Sequence, residues 1–203
     1  LRCNYCDTKY AYRPGKDVGI DDIVKKCRNS RAVIAEITGG EPLLQERFVQ
    51  LAKGLRDRGG KKVLVETNGS CDISVIPADV VAVMDVKCPG SGEGDTLDSA
   101  NIGKLRPYDE VKFVLSGRAD YLWAREFTRK NRLDKRCNAV LFSPVSREKI
   151  SGGSQALRPV TRRVTLQRSI TGNLDAGRLG EWIIRDGLPV RLQVQLHKIM
   201  EMK

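Results

Sequence analysis

The sequence predicts an α/β fold built on a parallel sheet, and three observations support this prediction. Six short runs rich in β-branched residues have the length of buried strands. Segments with helical spacing lie between most of these runs, and polar or glycine-rich clusters follow four of the six directly. Alternating strands and helices are typical of a parallel sheet with helices outside. Six strands favour an open or partial barrel over a closed eightfold one.

The predicted strands cover residues 32–37, 63–65, 80–84, 111–115, 139–142 and 190–194. A long helix is predicted after the first of these strands, beginning at Pro42 and ending at Gly59 and Gly60. Its apolar residues lie on one face: Leu44, Phe48, Leu51, Ala52 and Leu55. A second helix is predicted over residues 118–132, and a third follows Asp175, whose side chain suits an N-cap.

The chain has 203 residues, a length that suits one domain with a single core. We therefore expect one domain over residues 1–203. The segment 146–173 is polar, basic and without a clear period, so an irregular loop or flap is predicted there.

Composition narrows the class of protein. No apolar run approaches the roughly 20 residues needed to cross a bilayer. No signal peptide is recognisable, although the chain begins at Leu1 rather than Met. Six cysteines, two of them in a CxxC spacing, favour a reduced cytoplasmic protein over a disulfide framework.

The net charge of +11 is compatible with a nucleic-acid partner, an anionic substrate or a solvated basic surface. The densest basic segments, 129–136 and 158–168, hold no aromatic residue for base stacking. A solvated surface is therefore favoured, and no direct contact with nucleic acid is expected.

Cys3 and Cys6 are spaced to ligate one iron–sulfur cluster or one zinc ion. A structural zinc site needs about four ligands, and the sequence has no second CxxC and only one histidine, His197. A thioredoxin-like redox pair remains open, although no helix is predicted to start at Cys3.

The paired glycines Gly39 and Gly40 follow the first predicted strand and let the backbone approach a ligand closely. Glu41 adds a carboxylate suited to an amino group. Taken alone, this segment has the pattern of an ordinary turn. Further polar clusters at 66–69, 85–90 and 143–145 also follow strands, and the carboxyl ends of parallel strands are where ligands bind.

Residues 1–8 resemble the end of the CxxxCxxC loop of radical S-adenosylmethionine enzymes. Within that superfamily the chain is most similar to the 7-carboxy-7-deazaguanine synthase family. The motifs that carry this likeness are 1–8, 38–42, 66–69, 85–92, 142–145 and 193–198. The resemblance implies a partial (β/α)6 barrel whose first strand, with the first cluster cysteine, is missing from the chain.

The resemblance also implies roles for individual residues. Cys3 and Cys6 would ligate a [4Fe-4S] cluster, Thr8 a Mg²⁺ ion, and Thr38 would contact substrate. The residues implied to contact S-adenosylmethionine are Tyr5, Asp7, Gly40, Glu41, Asp85, Val86, Lys87, Ser143, Pro144 and Val145. No catalytic side chain is implied, because the radical forms on the cofactor.

The implied activity is that of a lyase which converts 6-carboxy-5,6,7,8-tetrahydropterin to 7-carboxy-7-deazaguanine with loss of ammonia, on the pathway to queuosine. A flavodoxin- or ferredoxin-type protein would supply the electron, and a homodimer is expected.

Simpler interpretations hold for several strand-end residues. Lys112 is expected to be a solvated lysine, Glu66 a capping or salt-bridging carboxylate, and Cys88 a buried spacer. His197 is expected to form a local hydrogen bond rather than to ligate metal, because Gln195 and Lys198 complete no metal site.

Two other functions are compatible with parts of the sequence. An activase of glycyl radical enzymes would share the cysteine loop and the Gly-Gly-Glu segment. A basic nucleic-acid-binding domain with a structural metal would account for the net charge alone.

Overall fold

A computed structural model describes residues 1–13, 15–145 and 174–196. In these residues six parallel strands form one sheet whose spatial order follows the chain. The strands are β1 (Ile34–Ile37), β2 (Lys62–Thr67), β3 (Val81–Asp85), β4 (Glu110–Leu115), β5 (Ala139–Pro144) and β6 (Arg191–Leu192). The predicted α/β fold with an open or partial parallel barrel is confirmed. The loop predicted over 146–173 lies outside the described residues.

The helices of the described residues are α1 (Ile20–Asn29), α2 (Phe48–Asp57), α3 (Asn101–Lys104), α4 (Arg118–Lys130), α5 (Leu133–Arg136) and α6 (Ala176–Arg185). In this part of the chain no helix is long and apolar enough to span a membrane. The predicted N-cap is confirmed, because the Asp175 carboxylate accepts a hydrogen bond from the Arg178 amide at 2.8 Å at the start of α6.

Strand residues alternate between a buried apolar face and a polar face. On β4, Val111, Phe113 and Leu115 are fully buried, whereas Glu110, Lys112 and Val114 line a cavity on the other side. This two-residue period is the geometry of a pleated strand. One face therefore builds the core, and the other face is free to build a site.

Aromatic rings connect the sheet to the helix that follows β4. The Phe113 ring lies 5.5 Å from that of Phe142 on β5 and 5.8 Å from that of Phe127 on α4. Both pairs are edge-to-face, the arrangement that the ring quadrupoles favour. These contacts fix α4 against the sheet.

The helix predicted to begin at Pro42 begins later, so this boundary was wrong. Pro42–Leu44 forms a separate 3-10 turn, and α2 starts only at Phe48. Gln45 between them has extended backbone angles, and Leu44 is 71% exposed rather than buried on the helix face. The Glu41 carboxylate accepts a hydrogen bond from the Leu43 amide and thereby caps this turn as a separate element.

Other boundaries also differ from the prediction. The helix predicted over 118–132 ends at Lys130, and Arg132 has a left-handed backbone (φ +51°) that starts a new short helix, α5. The last strand is limited to Arg191–Leu192 instead of residues 190–194.

Candidate active site

A cavity of about 630 Å³ opens at the carboxyl ends of the strands. Most residues predicted to form a site line it together: Cys3, Tyr5, Cys6, Asp7, Thr8, Thr38, Gly40, Asp85, Lys87, Ser143 and Val145. Among the described residues, Glu41, Val86 and Pro144 are predicted site residues that fall outside this lining. Val86 packs instead in the hydrophobic core.

The cysteine loop, residues 1–8, rests on the ends of β3 and β4. The Asn4 amide donates a hydrogen bond to the Ser91 carbonyl, beyond the end of β3, at 2.9 Å. The Tyr5 hydroxyl donates to the Val114 carbonyl of β4 at 3.2 Å. Since both acceptors are backbone carbonyls, the position of the loop depends on the path of the backbone beyond these two strands.

The two loop cysteines face the cavity in a tight turn, in which the Cys6 amide donates to the Cys3 carbonyl at 3.1 Å. Burial raises the pKa of the Cys3 thiol, although Lys87 opposes this change. Burial also acts to raise the pKa of Cys6, but hydrogen bonds with the Thr8 and Tyr12 side chains and the Thr8 backbone together outweigh it, and the pKa is lowered. Because both thiols line one cavity from a single tight turn, the pair suits two ligands of an iron–sulfur cluster.

The glycine pair after β1 gives the cavity an open backbone wall. Gly39 has φ +153°, a conformation that other residues rarely adopt. A Cβ atom placed on Gly39 or Gly40 would meet no atom within 4 Å. Next to them, Thr38 lines the same cavity. A ligand could therefore lie directly against this backbone.

Glu41 is 9% exposed and its carboxylate is occupied by bonds within the protein. It accepts hydrogen bonds from the Leu43 amide at 3.1 Å, the Thr67 hydroxyl at 2.8 Å and the Asn68 amide at 2.8 Å. The side chain thus ties the turn after β1 to the end of β2. Its contact with S-adenosylmethionine stays a prediction.

A chain of alternating charges crosses the cavity side of the sheet. Lys87 donates to Asp85 at 2.8 Å, and the Lys112 ammonium lies 3.6 Å from Asp85 and also pairs with Glu66. Burial lowers the pKa of Lys112, but Asp85 and Glu66 raise it more, so it lies above its usual value. Lys87 behaves in the same way, with Asp85 as the main opposing partner. Both lysines therefore stay cationic.

One oxygen of this network has no partner. Asp85 is 7% exposed, and its Oδ1 atom makes no hydrogen bond within the described residues. A buried carboxylate oxygen without a donor costs free energy. Because Asp85 lines the cavity, this oxygen fits a cationic or N–H donor of a ligand, such as the groups that S-adenosylmethionine carries.

The expectation that Lys112 is a solvated lysine was wrong, because its side chain is only 16% exposed. Glu66 is salt-bridging, as expected. Glu36 on β1 also lines the cavity and was missed. For Lys112 and for Glu36, the signal was the two-residue period of the strand, which places each side chain on the face opposite the apolar core positions. His197 and Lys198 lie outside the described residues.

Known proteins resemble this chain in both sequence and fold. The family model of the radical SAM superfamily matches residues 1–83. The solved structures of Streptococcus suis SuiB share the fold: the chain bound to precursor peptide SuiA has a TM-score of 0.63 at 14% identity, and the chain bound to S-adenosylmethionine 0.59 at 11%. Each comparison covers 96% of this chain and slightly under half of SuiB. The parallel partial barrel and the cysteine loop at its carboxyl edge therefore agree with the radical S-adenosylmethionine superfamily, whose family model covers 83 of the 203 residues.

Three curated relatives identify the branch, and each is a 7-carboxy-7-deazaguanine synthase. The protein from Koribacter versatilis is 39% identical over 98% of this chain and 83% of its own length. The proteins from Chlorobaculum tepidum and Methanospirillum hungatei are 35% and 31% identical, over 97% and 98% of this chain and 78% and 72% of their own. The chain belongs to the 7-carboxy-7-deazaguanine synthase family. Its cofactors are a [4Fe-4S] cluster and S-adenosylmethionine, and neither alternative function is favoured.

Proposed function

We propose that this chain converts 6-carboxy-5,6,7,8-tetrahydropterin to 7-carboxy-7-deazaguanine with loss of ammonia. The observation that carries the proposal is that the cysteine loop and the motifs beyond β1, β3 and β5 line one cavity. Substrate and product differ by one ammonia, so the net reaction needs no external oxidant. When bound, the cluster and S-adenosylmethionine supply the radical chemistry.

The residues of the protein bind and orient the cluster and S-adenosylmethionine. Cys3 and Cys6 would hold two irons of the cluster. The open backbone at Gly40 would take the methionine part of S-adenosylmethionine. The Oδ1 of Asp85, unpartnered among the described residues, would accept a hydrogen bond elsewhere on the cofactor. The remaining predicted cofactor contacts in the lining of the same cavity are Tyr5, Asp7, Lys87, Ser143 and Val145. Glu41, Val86 and Pro144 lie outside this lining, and their contact with the cofactor stays a prediction.

Thr8 would offer its hydroxyl to a Mg²⁺ ion that also meets the substrate carboxylate, since this ion prefers oxygen ligands. Thr38, which lines the same cavity, would contact the pterin. A Thr8→Ala variant should need more Mg²⁺ for half-maximal turnover, while a Thr8→Ser variant should behave like the parent. Equal Mg²⁺ dependence in all three proteins would remove Thr8 from this role.

The reaction needs a one-electron donor, for which a flavodoxin- or ferredoxin-type protein is suited. We expect a homodimer with no direct nucleic-acid contact, working in the cytoplasm, where free thiols persist. The described cysteines are all free.

The test is anaerobic reconstitution of the full-length protein with iron and sulfide. The expected result is cluster absorbance and turnover of the carboxypterin to the deazaguanine. A Cys6→Ser variant serves as the control, and it should lose both the absorbance and turnover. A parent protein that takes up the cluster and cleaves S-adenosylmethionine but leaves the pterin unchanged would refute the proposal.

A further inference from the structure

Asp120, in the first turn of α4, is a buried carboxylate that joins two strand ends. It is 2% exposed. Its Oδ1 accepts a hydrogen bond from the Gly90 amide at 2.8 Å, beyond β3. Its Oδ2 accepts from the amide and hydroxyl of Ser116, beyond β4, at 2.9 and 2.5 Å. One carboxylate thus accepts three hydrogen bonds, from the segments that follow β3 and β4.

The absence of a side chain at Gly90 allows this contact. A Cβ atom there would lie 2.6 Å from the Asp120 Oδ2 and 2.6 Å from the Ser116 hydroxyl oxygen. Both distances are shorter than any side-chain carbon tolerates. The turn beyond β3 and the carboxylate therefore fit each other closely.

The turn held by Asp120 is the surface on which the cysteine loop rests. The Asn4 amide bonds to the carbonyl of Ser91, the residue after Gly90. The Tyr5 hydroxyl bonds to Val114, two residues before Ser116. Asp120 thus binds next to both anchoring points of the loop, although none of its three hydrogen bonds reaches a cysteine of the loop.

We infer that Asp120 is a positioning residue for the cluster, acting through Gly90 and Ser116 to fix the height and tilt of the cysteine loop over the cavity. The inference shares one premise with the proposed function, namely that the cysteine loop holds a cluster. A loop that shifts by a fraction of an ångström would change how the cluster meets S-adenosylmethionine, because reacting groups must be held in a narrow geometry.

The test compares Asp120→Asn with a matched control, Asp109→Asn. Asp109 is also fully buried, and it accepts hydrogen bonds from the Ala82 amide at 2.9 Å and from Arg106. It directly precedes β4 and so lies at the amino ends of the strands, away from the cysteine loop. In both variants a carboxylate becomes an amide of the same shape, so both should lower the denaturation temperature.

The first readout is hydrogen exchange of the metal-free protein, which depends neither on the cluster nor on the pterin. In Asp120→Asn the amides of residues 1–13 should exchange about tenfold faster than in the parent, since a charged acceptor is lost. In Asp109→Asn, compared at matched stability, they should exchange as in the parent. Ser116→Ala, which removes only one donor, should show a smaller increase and covers the case in which Asp120→Asn does not fold.

The second readout is the electron paramagnetic resonance spectrum of the reduced, reconstituted protein with S-adenosylmethionine. Asp120→Asn, or Ser116→Ala in its place, should alter the spectrum and raise the ratio of 5′-deoxyadenosine to product, whereas Asp109→Asn should leave both unchanged. Parent-like exchange of residues 1–13 or a parent-like spectrum in the Asp120 and Ser116 variants would overturn the inference. A parent that makes no deazaguanine would count against the proposed function alone.

Discussion

The ammonium group of Lys112 lies 3.6 Å from the carboxylate of Asp85, across the paired strands β4 and β3. The same group pairs with Glu66 on β2. The side chains of Lys112 and Asp85 are 16% and 10% exposed. One cation thus compensates carboxylates from two strands inside the cavity.

Replacing this cation should destabilise the protein. In Lys112→Met the partly buried carboxylates of Asp85 and Glu66 lose the ammonium group between them. We expect the free energy of unfolding to fall by about 2 kcal/mol, which is less than for a fully buried ion pair. Lys104→Met is the control, because its partner Asp72 is half-exposed, and should cost less than about 1 kcal/mol. Urea denaturation measures both, and equal losses would contradict the role given to Lys112.

Glu36 should make stability depend on pH. Burial and the neighbouring Glu66 raise its pKa, while Lys112 opposes them. The folded state then binds the proton more tightly than the unfolded chain, so this contribution to stability is fully present below the unfolded pKa. It is lost as the pH rises through the raised folded value.

Glu36→Gln cannot ionise and should therefore be more stable than the parent at neutral pH. It should also lose the part of the pH dependence that falls between the unfolded and folded pKa values of Glu36. Glu126→Gln, an exposed change on α4, should follow the parent. Urea unfolding at several pH values between about pH 4 and pH 7 measures this dependence. If the stability of Glu36→Gln changed with pH in parallel to that of the parent, a raised pKa of Glu36 would be excluded.

Glu41→Ala should be strongly destabilising. It leaves the Leu43 amide, the Thr67 hydroxyl and the Asn68 amide without their acceptor, which should cost about 2–4 kcal/mol. Glu46→Ala, at a nearby exposed position, should change the free energy of unfolding by less than about 0.5 kcal/mol. Similar values for the two variants would show that Glu41 does not tie the two strand ends.

Two glycines with left-handed backbones should respond differently to alanine. A Cβ atom on Gly69 (φ +75°) would lie 2.8 Å from Leu97 Cδ1 and 3.1 Å from Met84 Cγ, whereas one on Gly60 (φ +65°) would meet nothing within 4 Å. Both changes carry about 1–2 kcal/mol of backbone strain, and Gly69→Ala adds crowding of about 1–3 kcal/mol. Thermal denaturation should rank Gly69→Ala clearly below Gly60→Ala; the reverse order would contradict the close packing beyond β2.

The sheet was predictable because β-branched runs and helical spacing are local signals. All six predicted strands exist, and five of them, all but β4, carry cavity-lining motifs at or just beyond their carboxyl ends, since parallel strands bring these ends to one edge. The cysteine loop was recognisable for the same reason, because its ligands lie within a few residues of each other.

Contacts between distant residues were not predictable. The carboxylate of Glu41 looked free for a ligand, but it is bound by Thr67 and Asn68 at the end of β2. Lys112 looked solvated, but its environment depends on Glu66 and Asp85, on two other strands. Such partners are set by the register of the sheet, which residue spacing along one strand does not encode.

The most direct measurement of the central claim is the joint quantification of ammonia and deazaguanine in an anaerobic reaction with the carboxypterin, S-adenosylmethionine and a reductant. Ammonia and 7-carboxy-7-deazaguanine are expected in equal molar amounts, with neither formed by the Cys6→Ser protein. Formation of 5′-deoxyadenosine while the pterin is recovered unchanged, or release of ammonia without the deazaguanine, would contradict it.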